Sequence, residues 1–308
     1  MAVLVTGGCG AIGSNLVKRL LLNNKVIVMD DLSEGAITNI PLANENLTPY
    51  FSSVNDTSVL DKIFNEDIDC VYHLAASFAN EKSVRDPLQD ANVNINGTLN
   101  VLEHCRKKDV KFVYASSSSC YSGLLDASFK EDMMPHPSTP YAISKYSGEL
   151  YAMAYNKIYG LPTTAIRYFD SYGPGERPGQ YRNVIPNWVQ SALNGEQLTI
   201  TGTGDEVRDF TYVDDTIDLT LLAANAPNAI GEVFNSGTGT PTKIVDLANK
   251  INVMTGNYAG VRYLEPRAWD TVPYRVANIK KSKDLLGYNP KVSLDDGLKK
   301  TIDWMEML

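Results

Sequence analysis

Val3-Leu4-Val5-Thr6-Gly7-Gly8-Cys9-Gly10-Ala11-Ile12-Gly13 stands near the start of the chain, and Lys25-Val26-Ile27-Val28-Met29-Asp30-Asp31 follows after one helix-length of sequence. The apolar run Ala2–Thr6 predicts a buried strand. The glycines then satisfy G-x-G-x-x-G through Gly8, Gly10 and Gly13, and G-x-x-G-x-x-G through Gly7, Gly10 and Gly13. A turn this tight needs residues without a Cβ, so that backbone can approach a pyrophosphate and the next helix can pack on the strand. That helix presents its unpaired N–H groups to phosphate charge. A glycine pattern alone is weak; here a strand precedes it, a helix follows, and an acid ends the second strand. Asp30, with Asp31 beside it, can accept from the adenine ribose hydroxyls and would repel a 2′-phosphate, which favours NAD over NADP.

Outward from this unit, β-rich runs alternate with amphipathic segments. The strand candidates are Ala2–Thr6, Lys25–Asp30, Cys70–Ala75, Phe112–Ser116 and Thr163–Phe169. Between them lie Ser14–Leu22, Thr57–Phe64, Ala91–Lys107 and Tyr141–Tyr159 as helices. Such alternation predicts an α/β fold, a Rossmann-type doubly wound parallel sheet with right-handed crossovers. After Tyr172 the loop signal Gly173-Pro174-Gly175-Glu176-Arg177-Pro178-Gly179 ends the regularity. Residues 1–170 are therefore expected to form the dinucleotide domain, with about 209–236 returning to it. Residues 171–308 are expected to form mainly a smaller C-terminal α/β substrate domain over the sheet's C-terminal edge, where ligands of open α/β sheets bind.

A length of 308 residues and a hydrophobic content of 44% suit a globular chain of about two domains. The net charge of −8 argues against a nucleic-acid surface, which needs a basic stripe. Cys9, Cys70, Cys105 and Cys120 are scattered without C-x-x-C spacing, which disfavours disulfide scaffolds and zinc sites. His104 and His136 lack partners at metal-ligand spacing, so no metal is expected. With no signal peptide and no long apolar run, a cytoplasmic location is expected and a membrane one is not.

Tyr141-Ala142-Ile143-Ser144-Lys145 puts Tyr141 and Lys145 on one helix face. A tyrosine of ordinary pKa, about 10, is a poor base at neutral pH. A neighbouring ammonium and a positively charged nicotinamide would both favour the phenolate. The run Ala115-Ser116-Ser117-Ser118-Ser119 ends a strand and places hydroxyls over the cofactor, where one can bridge a substrate oxygen and the tyrosine. His73, Trp188 and Trp304 are read as packing residues, and Trp269 lies in an arginine-bearing segment.

These features together resemble the extended short-chain dehydrogenase/reductase family, in particular its nucleotide-sugar epimerases. The carriers are Thr6–Gly13, Asp30-Asp31-Leu32-Ser33, His73-Leu74-Ala75-Ala76, Asn94-Ile95-Asn96-Gly97-Thr98, the serine run, Tyr141 with Lys145, Arg167-Tyr168-Phe169, and Val207-Arg208-Asp209-Phe210. The resemblance covers nearly the whole chain. It implies Ser117, Tyr141 and Lys145 as the catalytic set. It implies an NAD site of Gly7, Gly10, Ala11, Ile12, Gly13, Asp30, Asp31, Leu32, Ser33, Ser53, Val54, Leu74, Ala75, Ala76, Asn94, Ala115, Ser116, Tyr168 and Phe169 beside Tyr141 and Lys145. On the substrate side it implies Ser117, Ser118, Tyr141, Asp170, Asn183 and Val184, with Arg208 and Arg267 on the diphosphate and Asp270 on the nucleoside ribose. Paired arginines suit a diphosphate because guanidinium meets phosphate oxygens in a fork. A homodimer through the helices Ala91–Lys107 and Tyr141–Tyr159 is also implied, with Leu150, Met153 and Ile158 among its apolar positions.

The reaction implied is 4-epimerisation of a nucleotide sugar, of the UDP-glucose/UDP-galactose kind, by transient oxidation at C4. Dehydratases and decarboxylases of the family carry acids just after the catalytic hydroxyl, where this chain has Ser118 and Ser119. Open alternatives are another nucleotide-sugar modifier, such as a 4-reductase, a decarboxylase or a dehydratase using Glu81, and a non-catalytic NAD-binding protein. Three departures from the resembled pattern stand out. Asp170 replaces the usual Asn, Ser53 replaces an Asp at the adenine amine, and Ser122 replaces a glycine after Tyr121. Tyr274 matches a position that limits the pocket beside the sugar, favouring sugars without a bulky N-acyl group.

Overall fold

The computed structural model describes residues 2–121, 128–267 and 272–308. The first half of the chain runs β1 Ala2–Thr6, α1 Ala11–Leu20, β2 Lys25–Met29, β3 Leu47–Tyr50, α2 Thr57–Ile63, β4 Ile68–His73, α3 Asn80–Arg85, α4 Pro87–Ala91, α5 Thr98–Lys108, β5 Lys111–Ser117, α6 Pro140–Tyr159 and β6 Thr163–Tyr168. There follow β7 Ser171–Tyr172, α7 Val184–Leu193, β8 Leu198–Thr201, β9 Val207–Arg208, β10 Thr211–Tyr212, α8 Val213–Asn225 and β11 Val233–Ser236. The chain continues through β12 Thr242–Lys243, α9 Ile244–Thr255, β13 Val261–Leu264, β14 Tyr274–Arg275, α10 Lys280–Leu286 and α11 Leu294–Met305.

Seven strands form one parallel sheet in the order β11-β6-β5-β4-β1-β2-β3. Its central strands are buried on both faces because helices cover both. Along β1, Val3 and Val5 join one buried cluster while Leu4 joins the other, and Val26 and Val28 alternate with Ile27 and Met29 on β2. The strand order reverses direction between β1 and β4, which opens the crevice where such sheets bind ligands. The later strands pair in smaller sheets, β10-β7, β12-β9-β14 and β13-β8.

Local chemistry sets the helix ends. Asp56 caps α2 by accepting from Ser58 N and Val59 N, and Pro87 opens α4 behind the Asp86 cap. Thr139 caps α6 and Pro140 starts it, while Gly160, at φ 70°, ends it. The expected helix Ala91–Lys107 is interrupted. Between α4 and α5 lies a π-helical turn, Asn92–Gly97, in which a Cβ on Gly97 would stand 2.5 Å from Val54 Cγ2. Strand β3 was not expected, because Pro49 and polar neighbours hide it; it is an edge strand, where proline is tolerated. The four cysteines are buried free thiols, and among the described residues no helix is long and apolar enough to cross a membrane.

Candidate active site

Two neighbouring cavities, of about 300 and 460 Å³, open above the C-terminal ends of the large sheet. The first is built on the glycine turn. Gly7 follows β1 with φ +70°, and a Cβ there would stand 2.6 Å from Ala75 N. A Cβ on Gly13 would stand 2.1 Å from Gly7 O, so backbone packs on backbone where α1 begins. Asp30 Oδ2 accepts from Cys9 N at 2.8 Å and its Oδ1 from Leu32 N at 2.8 Å, which fixes the carboxylate to the turn. Burial pushes its pKa up, and those two amide bonds oppose the rise. A cradle closed to any side chain, beside an anchored acid at the end of β2, fits a dinucleotide.

At the other end of this cavity, β5 and α6 bring Ser117, Tyr141 and Lys145 together. Tyr141 N donates to Ser83 Oγ at 3.0 Å, holding the first turn of α6 against α3. Ser117, the last residue of β5, stands beside the Tyr141 side chain. Ser119 Oγ donates to Ser117 Oγ at 2.8 Å. Lys145 Nζ lies 4.6 Å from the centre of the Tyr114 ring, and Tyr114 OH donates to Lys145 O at 3.1 Å. Gly148 permits this closeness, since a Cβ there would stand 2.2 Å from Tyr114 OH.

Burial pushes the Tyr141 phenol up to about 12; the Ser117 hydroxyl opposes this, the Asp90 carboxylate adds to it, and the Arg275 charge opposes it. Desolvation thus outweighs the Ser117 and Arg275 contributions at Tyr141. Burial also lowers Lys145 to about 8, with Asp90 holding it up. Beneath them lies a buried polar network. Asn94 Nδ2 donates to Asp90 Oδ1 at 3.0 Å and to Ser144 Oγ at 3.0 Å, and Asn94 Oδ1 accepts from Ser77 N at 2.8 Å. His73 packs as expected, bonded to Thr6 and Thr98 hydroxyls and kept neutral by burial.

The first cavity brings together Gly7, Gly10, Ala11, Ile12, Gly13, Asp30, Asp31, Ser33, Ser53, Val54, Leu74, Ala75, Ala76, Ala115, Ser116, Ser117, Ser118, Tyr141, Lys145, Tyr168, Asp170 and Asn183. Three expected lining residues stand behind its wall. Asn94 is spent on Ser77, Asp90 and Ser144, Phe169 is fully buried among Tyr121 and its neighbours, and Leu32 packs against the core. Val184, Arg208 and Arg267 line the second cavity instead, with Asp170 and Asn183 shared between the two. Asp270, Trp269 and Ser122 lie outside the described residues.

Several lining residues escaped the sequence reading. Arg275, not Tyr274, faces both cavities, because successive strand residues point to opposite sides. Its Nη2 lies 3.1 Å from Asp170 Oδ1. Glu176 is 5% exposed, accepts from Asn183 Nδ2 at 2.9 Å, and is pushed up to about 7 by burial. Glu34, Lys82 and Arg182 also line the first cavity. Only the alternation at Tyr274-Arg275 could have been read beforehand; the rest are set by distant segments meeting.

The family model "NAD dependent epimerase/dehydratase family" matches residues 3–237. The solved structure of an epimerase from Methanothermobacter thermautotrophicus is 41% identical, with a TM-score of 0.97 covering 99% of this chain and 92% of that one. A UDP-glucose 4-epimerase from Thermotoga maritima, solved with UDP-glucose, is 38% identical, with a TM-score of 0.95 over 100% and 99% of the two chains. A UDP-N-acetyl-alpha-D-glucosaminuronate decarboxylase of Bacillus cytotoxicus is 30% identical over 98% of this chain and 96% of its own length. The chain belongs to the NAD dependent epimerase/dehydratase family, and NAD is its cofactor.

Proposed function

We propose that the chain is a nucleotide-sugar 4-epimerase of the UDP-glucose/UDP-galactose type. One observation carries the reading: Tyr141, Lys145 and Ser117 meet at one end of the dinucleotide cavity, and the next two positions after Ser117 are serines. NAD, when bound, supplies the acceptor and then the donor of one hydride. Tyr141 Oη takes the proton of the sugar's C4 hydroxyl and later returns it, with Ser117 Oγ orienting that hydroxyl. Lys145 holds positive charge beside the phenol and binds on the nicotinamide ribose side. Ser118 and Ser119 are not acids at neutral pH, so no residue at those positions serves a dehydration or decarboxylation. Glu81, the alternative acid, lines the second cavity and is paired with Arg85 at 3.1 Å.

Arg208 and Arg267 of the second cavity are assigned to the substrate diphosphate, with Asn183 and Val184 over the nucleoside. The Asp170–Arg275 pair lies where the two cavities join and carries no net charge, which suits a neutral hexose. A division of the chain near residue 170, with β11 returning to the large sheet, belongs to the same proposal. So does a homodimer through α5 and α6, on which Leu150 and Ile158 are 51% and 68% exposed while Met153 packs on the inner cluster.

The test is incubation of the purified protein, without added NAD, with UDP-glucose, UDP-galactose, UDP-glucuronate and their N-acetyl counterparts, read by NMR. Interconversion of a C4 pair supports the reading and names the sugar. A 4-keto-6-deoxy or pentose product overturns it.

A further inference from the structure

In the large sheet β1 lies between β4 and β2. Glu34 follows β2, and Lys82 sits on α3, which follows β4. Lys82 Nζ is ion-paired with Glu34 Oε1, so this contact crosses over the C-terminal end of β1, where the glycine turn lies. A third segment joins from the loop before α7: Arg182 Nη2 lies 3.0 Å from Glu34 Oε2 and also donates to Glu34 O. All three side chains line the same cavity as Gly7, Gly13 and Asp30. Their exposures, 29% for Lys82 and 21% for Glu34 and Arg182, leave the pairs only partly screened by solvent.

An acid facing a diphosphate cavity would repel its ligand. Two cations on one carboxylate offset that repulsion, so what the group adds to retention is its connection across the crevice rather than its charge. The loop that carries Arg182 has further anchors at its start. It is fastened separately by Asn15 Nδ2 to Pro174 O at 2.7 Å and by Asn39 Nδ2 to Gly175 O at 3.0 Å. The ion pairs thus add a connection across the crevice to segments already held.

We propose that Glu34, Lys82 and Arg182 form a bridge over the dinucleotide crevice and act as positioning residues that retain the bound cofactor. The inference rests on NAD occupying this cavity and is independent of which sugar the enzyme takes. Retention matters to the proposed chemistry, because an epimerase returns its hydride to the same molecule and needs no exchange of cofactor between cycles.

Release can be followed without turnover. Protein loaded with NADH is mixed with a large excess of NAD, and the decay of bound-NADH fluorescence gives the release rate. Glu34→Gln is expected to release NADH at least roughly tenfold faster than wild type at about 0.05 M salt, while about 0.5 M salt brings wild type toward the variant. Lys82→Gln and Arg182→Gln are each expected to show part of the effect, and they carry the test should Glu34→Gln fail to fold. The thermal midpoint of the cofactor-free Glu34→Gln protein should match wild type, since the segments are fastened elsewhere. Release within about twofold of wild type in all folded variants, or a wild-type rate indifferent to salt, overturns the bridge. Failure of wild type to take up NADH overturns the bridge together with the cofactor assignment, whereas a change in the preferred sugar bears on neither.

Discussion

Arg275 Nη2 lies 3.1 Å from one carboxylate oxygen of Asp170 and 3.3 Å from the other, at the junction of the two cavities. Asp170 stands where the resembled epimerases usually have Asn, and the arginine beside it gives that departure a physical reason: each charge offsets the other in a partly buried place.

Removing the acid should therefore change which sugars are accepted. Asp170→Asn removes one carboxylate from beside Arg275 at the junction of the two cavities, which favours a carboxylate-bearing sugar over a neutral one. The ratio of kcat/KM for UDP-glucuronate to that for UDP-glucose is expected to rise roughly tenfold, about 1.4 kcal/mol of discrimination. An unchanged ratio would place the pair away from the sugar.

The reactive centre itself is tested by Tyr141→Phe, which removes only the hydroxyl. A positioned general base contributes about 10²–10⁴-fold, so turnover should fall by about three orders of magnitude. NAD content should stay near wild type, because the glycine turn and Asp30 are untouched. Retained turnover in the variant would remove Tyr141 from the chemistry.

Asp90 gives a pH test with a definite sign. Its carboxylate, 1% exposed, raises the pKa of both Tyr141 and Lys145. Asp90→Asn keeps an acceptor for Asn94 Nδ2 but removes the charge, so both groups should titrate at lower pH. The whole kcat profile is expected to move toward acid. A merely structural role would lower kcat at every pH and leave the limbs in place.

Glu176 ties stability to pH. Burial raises its carboxyl from 4.5 to about 7 in the folded protein, so the folded state binds the proton more tightly than the unfolded chain does. Its contribution is fully present below pH 4.5 and is lost as pH rises through about 7. Glu176→Gln should match wild type in acid and exceed it in stability above about pH 7, by at most about 3 kcal/mol. Urea midpoints of the two proteins at both ends of that range check this; parallel curves would refute it.

How much of this was legible beforehand follows from the range of each interaction. The glycine turn, Asp30, and the Tyr141/Lys145 spacing are local: the first needs residues without a Cβ, and the last needs only one helical turn. The alternation of apolar strands with amphipathic helices likewise declares a parallel sheet, because strands buried on both faces must be apolar throughout. Strand β3 was hidden because Pro49 breaks the local pattern that its edge position tolerates.

Tertiary structure alone decided the rest. Asn94 turned inward because Ser77 and Ser144 arrive from distant segments to join Asp90, one helical turn away, on its amide. Glu34 meets Lys82 because the sheet places β1 between β4 and β2, an order that the sequence does not follow. Arg275 rather than Tyr274 lines both cavities because pairing of β14 with β9 fixes which side of the strand looks into them. Local patterns specify backbone conformation and one-turn neighbours; which charges face one another across a crevice depends on strand order and register, and those arise only when distant segments pack.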